Sequence, residues 1–290
     1  MTVLVAGWFS FEQMGATAGD LLARDVACAW LDEARCGYAV ATAPPFTGGV
    51  DWRTVEPHQY DQVVFVCGPF GNGPPVDAFL ERFGHARHIG LNLSMLDSLE
   101  AWDPFDALWE RDSSRTARPD LAFLSTPSAV PVLGVVLVHP QKEYPGAMHA
   151  AAEDAIDRLL GSRELAAVPI DTRLDHNVTG LRSPNEVASL IARMDAVVTT
   201  RLHGLVLALK HGVPALAIDP VAGGAKVLRQ AQAIGWPVVY TADALADDEL
   251  RIALEYCLTA AARREAALAA QRGMRNLTAV RDEFIASLAG

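Results

Sequence analysis

The chain has 290 residues, 51% hydrophobic and 20% charged, a balance that fits a globular protein rather than a disordered one and leaves room for two medium domains. Its formal net charge of −11 argues against a nucleic-acid partner, because phosphate backbones need a cationic surface. A small anionic ligand needs only one local cationic pocket. Cys28, Cys36, Cys67 and Cys257 form no Cys-x-x-Cys pair and fall on apolar segments. They are expected as buried free thiols, consistent with a cytoplasmic location.

The amino end lacks a basic flank and reads as a first strand at residues 3–5, not as a signal peptide. A loop over 7–19 follows, then a helix over 20–33, with Asp20 as its cap. Strands are predicted at 38–42 and 63–66, with a Gly/Pro-rich loop at 68–75, a helix from about residue 77 and a short apolar segment at 89–93. A Ser/Pro cluster at 125–131 marks a boundary between domains 1–127 and 128–290. Beyond it come a strand at 132–138, a helix at 147–160, a strand at 167–170 and a helix at 184–193. Ser183, Pro184 and Glu186 supply that last helix with a cap, a first-turn proline and a capping-box acid. From residue 247 the chain is Ala-, Arg- and Glu-rich and predicts one or two terminal helices, with Leu250, Leu254 and Leu258 as a packing stripe. Alternating strands and helices imply α/β domains with parallel sheets. No apolar run approaches the ~18 residues of a membrane span.

The segment 195–227, DAVVTTRLHGLVLALKHGVPALAIDPVAGGAKV, carries the most chemistry. An apolar strand at 196–198 runs into a short turn with Arg201 and His203, then a helix at 205–211 stopped by Gly212 and Pro214. A second strand at 215–218 ends at Asp219. Carboxyl ends of parallel strands open onto the ligand crevice, so a guanidinium and an imidazole there can face a bound anion. Lys226, one of only three lysines, follows Gly223 and Gly224, which allow close backbone approach.

This segment resembles the polysaccharide pyruvyl transferase family, through Arg201-Leu202-His203, Gly212-Val213-Pro214, and Asp219-Pro220 with Lys226-Val227 as an interrupted Asp-Pro-Lys-Val element. The resemblance implies two Rossmann-like domains whose parallel sheets face a central cleft, a glycosyltransferase-B-like fold, with terminal helices. The donor it implies is phosphoenolpyruvate, with a saccharide or related small acceptor in polysaccharide biosynthesis. Residues 1–127 would form the acceptor side and 128–290 the donor side. Arg201 and His203 would be catalytic. Lys226, Arg111, His139, Gly7, Gln13, Gly15, Asp20 and Asp219 would bind substrate. Gln13-Met14-Gly15-Ala16 and Gly19-Asp20 are the partial counterparts of a family Asn-x-Gly-Asp loop, and His139 stands where the family often has Arg. Arg111 reads equally as an anion contact or a structural ion pair. No metal or other cofactor is expected, since no ligand spacing occurs. Two other classes fit the same residues: a nucleotide-sugar glycosyltransferase, with Asp219 for the ribose or sugar, and a non-catalytic small-molecule binder.

Overall fold

The computed structural model describes residues 2–138 and 146–288. The chain divides into two compact units, Met1–Ser128 and Ala129–Gly290.

In the first unit the order is β1 (Thr2–Ala6), α1 (Ala18–Glu33), β2 (Gly37–Val40), β3 (Gln62–Val66), β4 (Pro69–Phe70), α2 (Val76–Arg82), β5 (Arg87–Leu91), β6 (Ser94–Met95) and β7 (Ala107–Trp109). Five strands form a parallel sheet in the order β2-β1-β3-β5-β7, while β4 and β6 pair separately. Successive residues of a strand face opposite sides, and the core divides accordingly. Val3, Val5, Val64 and Val66 pack with Ala23, Val26 and Ala27 of α1. Leu4, Ala6, Val63 and Phe65 pack on the other face with Phe79 and Phe83 on and just after α2. Burial on both faces explains why these strands read as continuous apolar runs.

The second unit contains β8 (Val132–Val136), α3 (His149–Leu160), β9 (Ala166–Pro169), α4 (Pro184–Ile191), β10 (Ala196–Thr199), α5 (Leu202–Lys210), β11 (Ala215–Asp219), α6 (Lys226–Ile234), β12 (Val239–Thr241), α7 (Asp247–Cys257) and α8 (Ala260–Leu288). Its parallel sheet runs β12-β11-β10-β8-β9. Renumbered within each unit, both sheets have the doubly wound order 2-1-3-4-5. Two parallel α/β sheets with terminal helices are the fold class expected from the sequence.

Several local expectations are corrected. Helix α1 starts at Ala18, because Thr17 caps it and Asp20 is the third residue of the capping box. Helix α5 starts at Leu202, so His203 is helical and not in the turn. Strands β7 and β12 and helix α6 were not anticipated. Cys67 and Cys257 are buried, whereas Cys28 and Cys36 are half-buried; all four are free. Leu250 and Leu254 are buried, and Leu258 packs against the same core. No helix among the described residues is long and apolar enough to cross a membrane.

Candidate functional site

A doubly wound sheet opens a crevice at its switch point, above the carboxyl ends of the two strands where the chain reverses direction across the sheet. In the second unit those strands are β8 and β10. The turn after β10 is fixed by two threonines. Thr199 Oγ1 accepts the Arg201 N–H at 2.9 Å and donates to the Val136 carbonyl at 2.8 Å. The Val138 N–H donates to Thr200 Oγ1 at 2.8 Å. A Cβ on Gly204 would lie 2.2 Å from Thr199 Oγ1 and 2.9 Å from Val136 Cγ1. Glycine therefore lets α5 begin hard against the strand end.

Arg201 is the N-cap residue of α5, and its side chain is 14% exposed. Its Nη1 donates to Asp171 Oδ1 at 3.1 Å. Asp171, two residues beyond β9, is buried, and its carboxylate also accepts N–H groups from Arg173 and Val178. A buried carboxylate anchored by amides holds the guanidinium in one place while leaving other donors of its fork for an anion. Sequence reasoning missed Asp171, because a lone Asp after a short strand carries no motif. His203, the second residue of α5, is exposed. It stands two residues from Arg201, within one helical turn.

Asp219 is 1% exposed. One oxygen accepts the Val221 N–H at 3.1 Å, and the other accepts those of Ala225, Val227 and Leu228 at 2.8, 2.9 and 2.9 Å. The carboxylate thus satisfies the orphan donors at the start of α6. Beside the ligand contact expected of it, Asp219 has this positioning role. Lys226 is not on a loop; it is the first residue of α6, held there by Asp219. Lys226, Asp219, Thr200 and His149 line one small cavity. The Nε2 of His149 is buried in it without a hydrogen-bond partner among the described residues. His149 was also missed from the sequence, where it looks like an ordinary helix-start residue. His139 lies outside the described residues.

The first unit's switch point lies between β1 and β3. The loops after them line a pocket of about 550 Å³ that brings together Gly15, Asp20 and Arg111 with Trp8, Gly68 and Asn72. Gly7 and Gln13 are not in its wall. Gly7 is needed for packing, since its Cβ would lie 2.5 Å from the Phe9 ring and 2.7 Å from the Val66 carbonyl oxygen. Gln13 is exposed in a left-handed conformation, φ 57°. Asp20 Oδ2 accepts the Thr17 N–H at 2.7 Å and the Thr17 hydroxyl at 2.8 Å.

Arg111 donates to Asp120 at 2.7 Å, to Asp112 at 3.2 Å and to the Ser94 hydroxyl. Burial alone would push the Asp120 carboxyl up, but the Ala122 amide and Arg111 outweigh it and hold it below the usual range. Nearby Glu110 is buried between Arg115 and Arg118, at 2.9 Å from each. Burial opposes its ionisation, yet the two guanidinium groups, its own backbone and Ser113 hold its carboxyl down to about 2.

Residues 119–220 match the polysaccharide pyruvyl transferase family. The resemblance read from Arg201 and His203 is borne out over that segment, which also contains Asp171, His149 and Asp219. Lys226, Arg111 and the first-unit loops lie outside it. No curated protein matches the sequence. Among solved structures, the chain is similar to MurG of Acinetobacter baumannii, at 10% identity over 93% of this chain and 94% of that one, with a TM-score of 0.33. It is similar to the spinosyn rhamnosyltransferase SpnG, at 11% identity over 94% and 95%, TM-score 0.35. It is also similar to the Methanocaldococcus jannaschii UDP-GlcNAc 2-epimerase, at 10% identity over 96% and 99%, TM-score 0.31. Likeness at this level assigns neither activity nor ligand.

Proposed function

We propose that this protein is a phosphoenolpyruvate-dependent pyruvyl transferase acting on a saccharide or related small polyol. The observation that carries the reading is Arg201, held by buried Asp171 at a switch-point crevice within the family-matched segment. The guanidinium fork binds the donor's carboxylate or phosphate and stabilises charge as phosphate departs. Lys226 is an auxiliary cation placed by Asp219. His203 delivers a proton to the donor's methylene carbon, which becomes a methyl group and leaves an oxocarbenium-like centre at the adjacent carbon. One acceptor hydroxyl adds there, the carbon–oxygen bond to phosphate breaks, and a second hydroxyl closes the ketal. The two hydroxyl protons balance the one taken up by the methylene and the one leaving on phosphate.

The first-unit pocket, with its glycine loops, Trp8 and charge-neutralised Arg111, suits an uncharged polyol and serves as the acceptor side. The chemistry needs no metal, because cationic side chains take that role. The nucleotide-sugar alternative would rest on Asp219, whose oxygens are committed to four amides. The test is phosphate release from phosphoenolpyruvate with a panel of saccharide acceptors, with and without chelator. Acceptor-dependent, chelator-resistant release is expected. Release only with divalent metal, or turnover of a nucleotide sugar instead, contradicts the reading.

A further inference from the structure

Helix α8 changes character along its length. Over its first turns Ala262, Ala266 and Ala269 are fully buried against the second unit, where the helix lies on α5 and α6. The same stripe, at three- and four-residue steps, continues through Gly273, Leu277, Val280, Phe284 and Leu288. Residues 274–288 are exposed throughout. Met274, Leu277, Val280, Phe284, Ile285 and Leu288 are 56–71% exposed. Four turns of helix without tertiary support are marginal in water, and a stripe of large apolar side chains on them needs a partner.

Gly273 indicates what kind of partner. Glycine inside a helix weakens it relative to alanine. Here nothing in the chain requires it, because an added Cβ would meet no atom within 4 Å. Gly273 instead forms, with Val206, Leu209, Ile234, Ala270 and Leu277, a notch of about 290 Å³ at the base of the stripe. The helix therefore has an open notch at its base and bulky side chains at its tip.

We propose that the outer half of α8 associates two copies of this chain as an antiparallel helix pair, the tip of each filling the notch of the other. In antiparallel helices the numbers of opposed residues have a constant sum. Setting Gly273 opposite Phe284 places Leu277 opposite Val280, so each large residue meets a smaller one or a branched aliphatic. Parallel pairing in register would set Phe284 against Phe284 and leave both notches empty. A twofold axis makes the antiparallel contact closed and self-complementary. The six side chains expose roughly 700 Å² per copy, close to the ~800 Å² per partner of a standard interface.

The test is sedimentation equilibrium of the full chain between about 1 and 100 μM. A dimer is expected. Phe284→Asp is expected to weaken it by at least ~30-fold. Gly273→Leu, which adds a better helix former, is expected to abolish it while helix content by circular dichroism is kept. A spin label at Ser287 is expected to report a separation of about 26 Å or more, from 17 residues of rise, against about 10 Å in a parallel pair. A wild-type monomer at 100 μM overturns the proposal. So does a dimer indifferent to both substitutions, a short Ser287 distance, or a monomer that instead cosediments with phosphatidylglycerol vesicles.

Discussion

Above β1 and β3, the crevice arginine of the first unit, Arg111, meets two carboxylates, Asp112 and Asp120, and its side chain is 30% exposed. Above β8 and β10, the crevice arginine of the second unit, Arg201, meets one carboxylate among the described residues, that of Asp171, and is 14% exposed. The two sheets have the same strand order, and both crevices depend on a glycine, Gly7 or Gly204, that lets strand-end loops close tightly. What differs is the balance of charge. In the first unit acids outnumber the base and Asp20 is spent on a helix cap. In the second, one acid orients the arginine and the other, Asp219, faces backbone amides and places a lysine. One topology thus yields two differently charged crevices, with the loop residues deciding the charge.

The largest expected effect separates binding from chemistry in the second unit. His203→Gln keeps size and one hydrogen bond, and should lower turnover by ~10²–10⁴-fold with donor affinity little changed. Steady-state rates beside a calorimetric titration check this; near-normal turnover makes His203 structural. Next come the two glycines. Gly204→Ala and Gly7→Ala should each cost about 1–3 kcal/mol by overpacking, read as a fall in melting temperature. Only Gly204→Ala should also weaken donor binding. Equal loss of donor binding in both variants would remove the distinction between the crevices.

Asp171→Asn should have a smaller effect, about 1 kcal/mol or some fivefold in donor affinity, by releasing Arg201 from its anchor. Unchanged affinity by calorimetry would show that Asp171 shapes only its own loop. A separate signature, in stability alone, is acid sensitivity of the first unit. Glu110 is depressed from an ordinary 4.5 to about 2. Its contribution to stability is therefore present above pH 4.5 and is lost as pH falls through that window. Glu110→Gln should flatten the acid limb of a denaturation series; an unaltered limb would place the titration elsewhere.

Much of the fold was legible because buried parallel strands are continuous apolar runs, as in 63–66 and 196–199, and because Ser183-Pro184 announces a helix start in three letters. Strands β7 and β12 were too short to register. Helix α6, which begins at Lys226, was hidden by the glycines before it. At α1 the capping box runs from Thr17 to Asp20, with Asp in place of the more familiar Glu, and the cap was read three residues late. In the site, Arg201 and His203 were legible through one contiguous motif. Asp171 and His149 were not, because only the order of strands brings the ends of β9 and α3 beside β10 and β11. Asp219 was legible as a position but not as a role, since four amide donors become visible only when the chain turns back on it.

The most direct test is a calorimetric titration of phosphoenolpyruvate into two variants side by side, Arg201→Ala and Arg111→Ala. If the donor site is the second unit's crevice, Arg201→Ala loses about 2 kcal/mol or more, some 30-fold in affinity, while Arg111→Ala binds as the wild type does. Donor binding lost with Arg111 and kept without Arg201 would contradict the account.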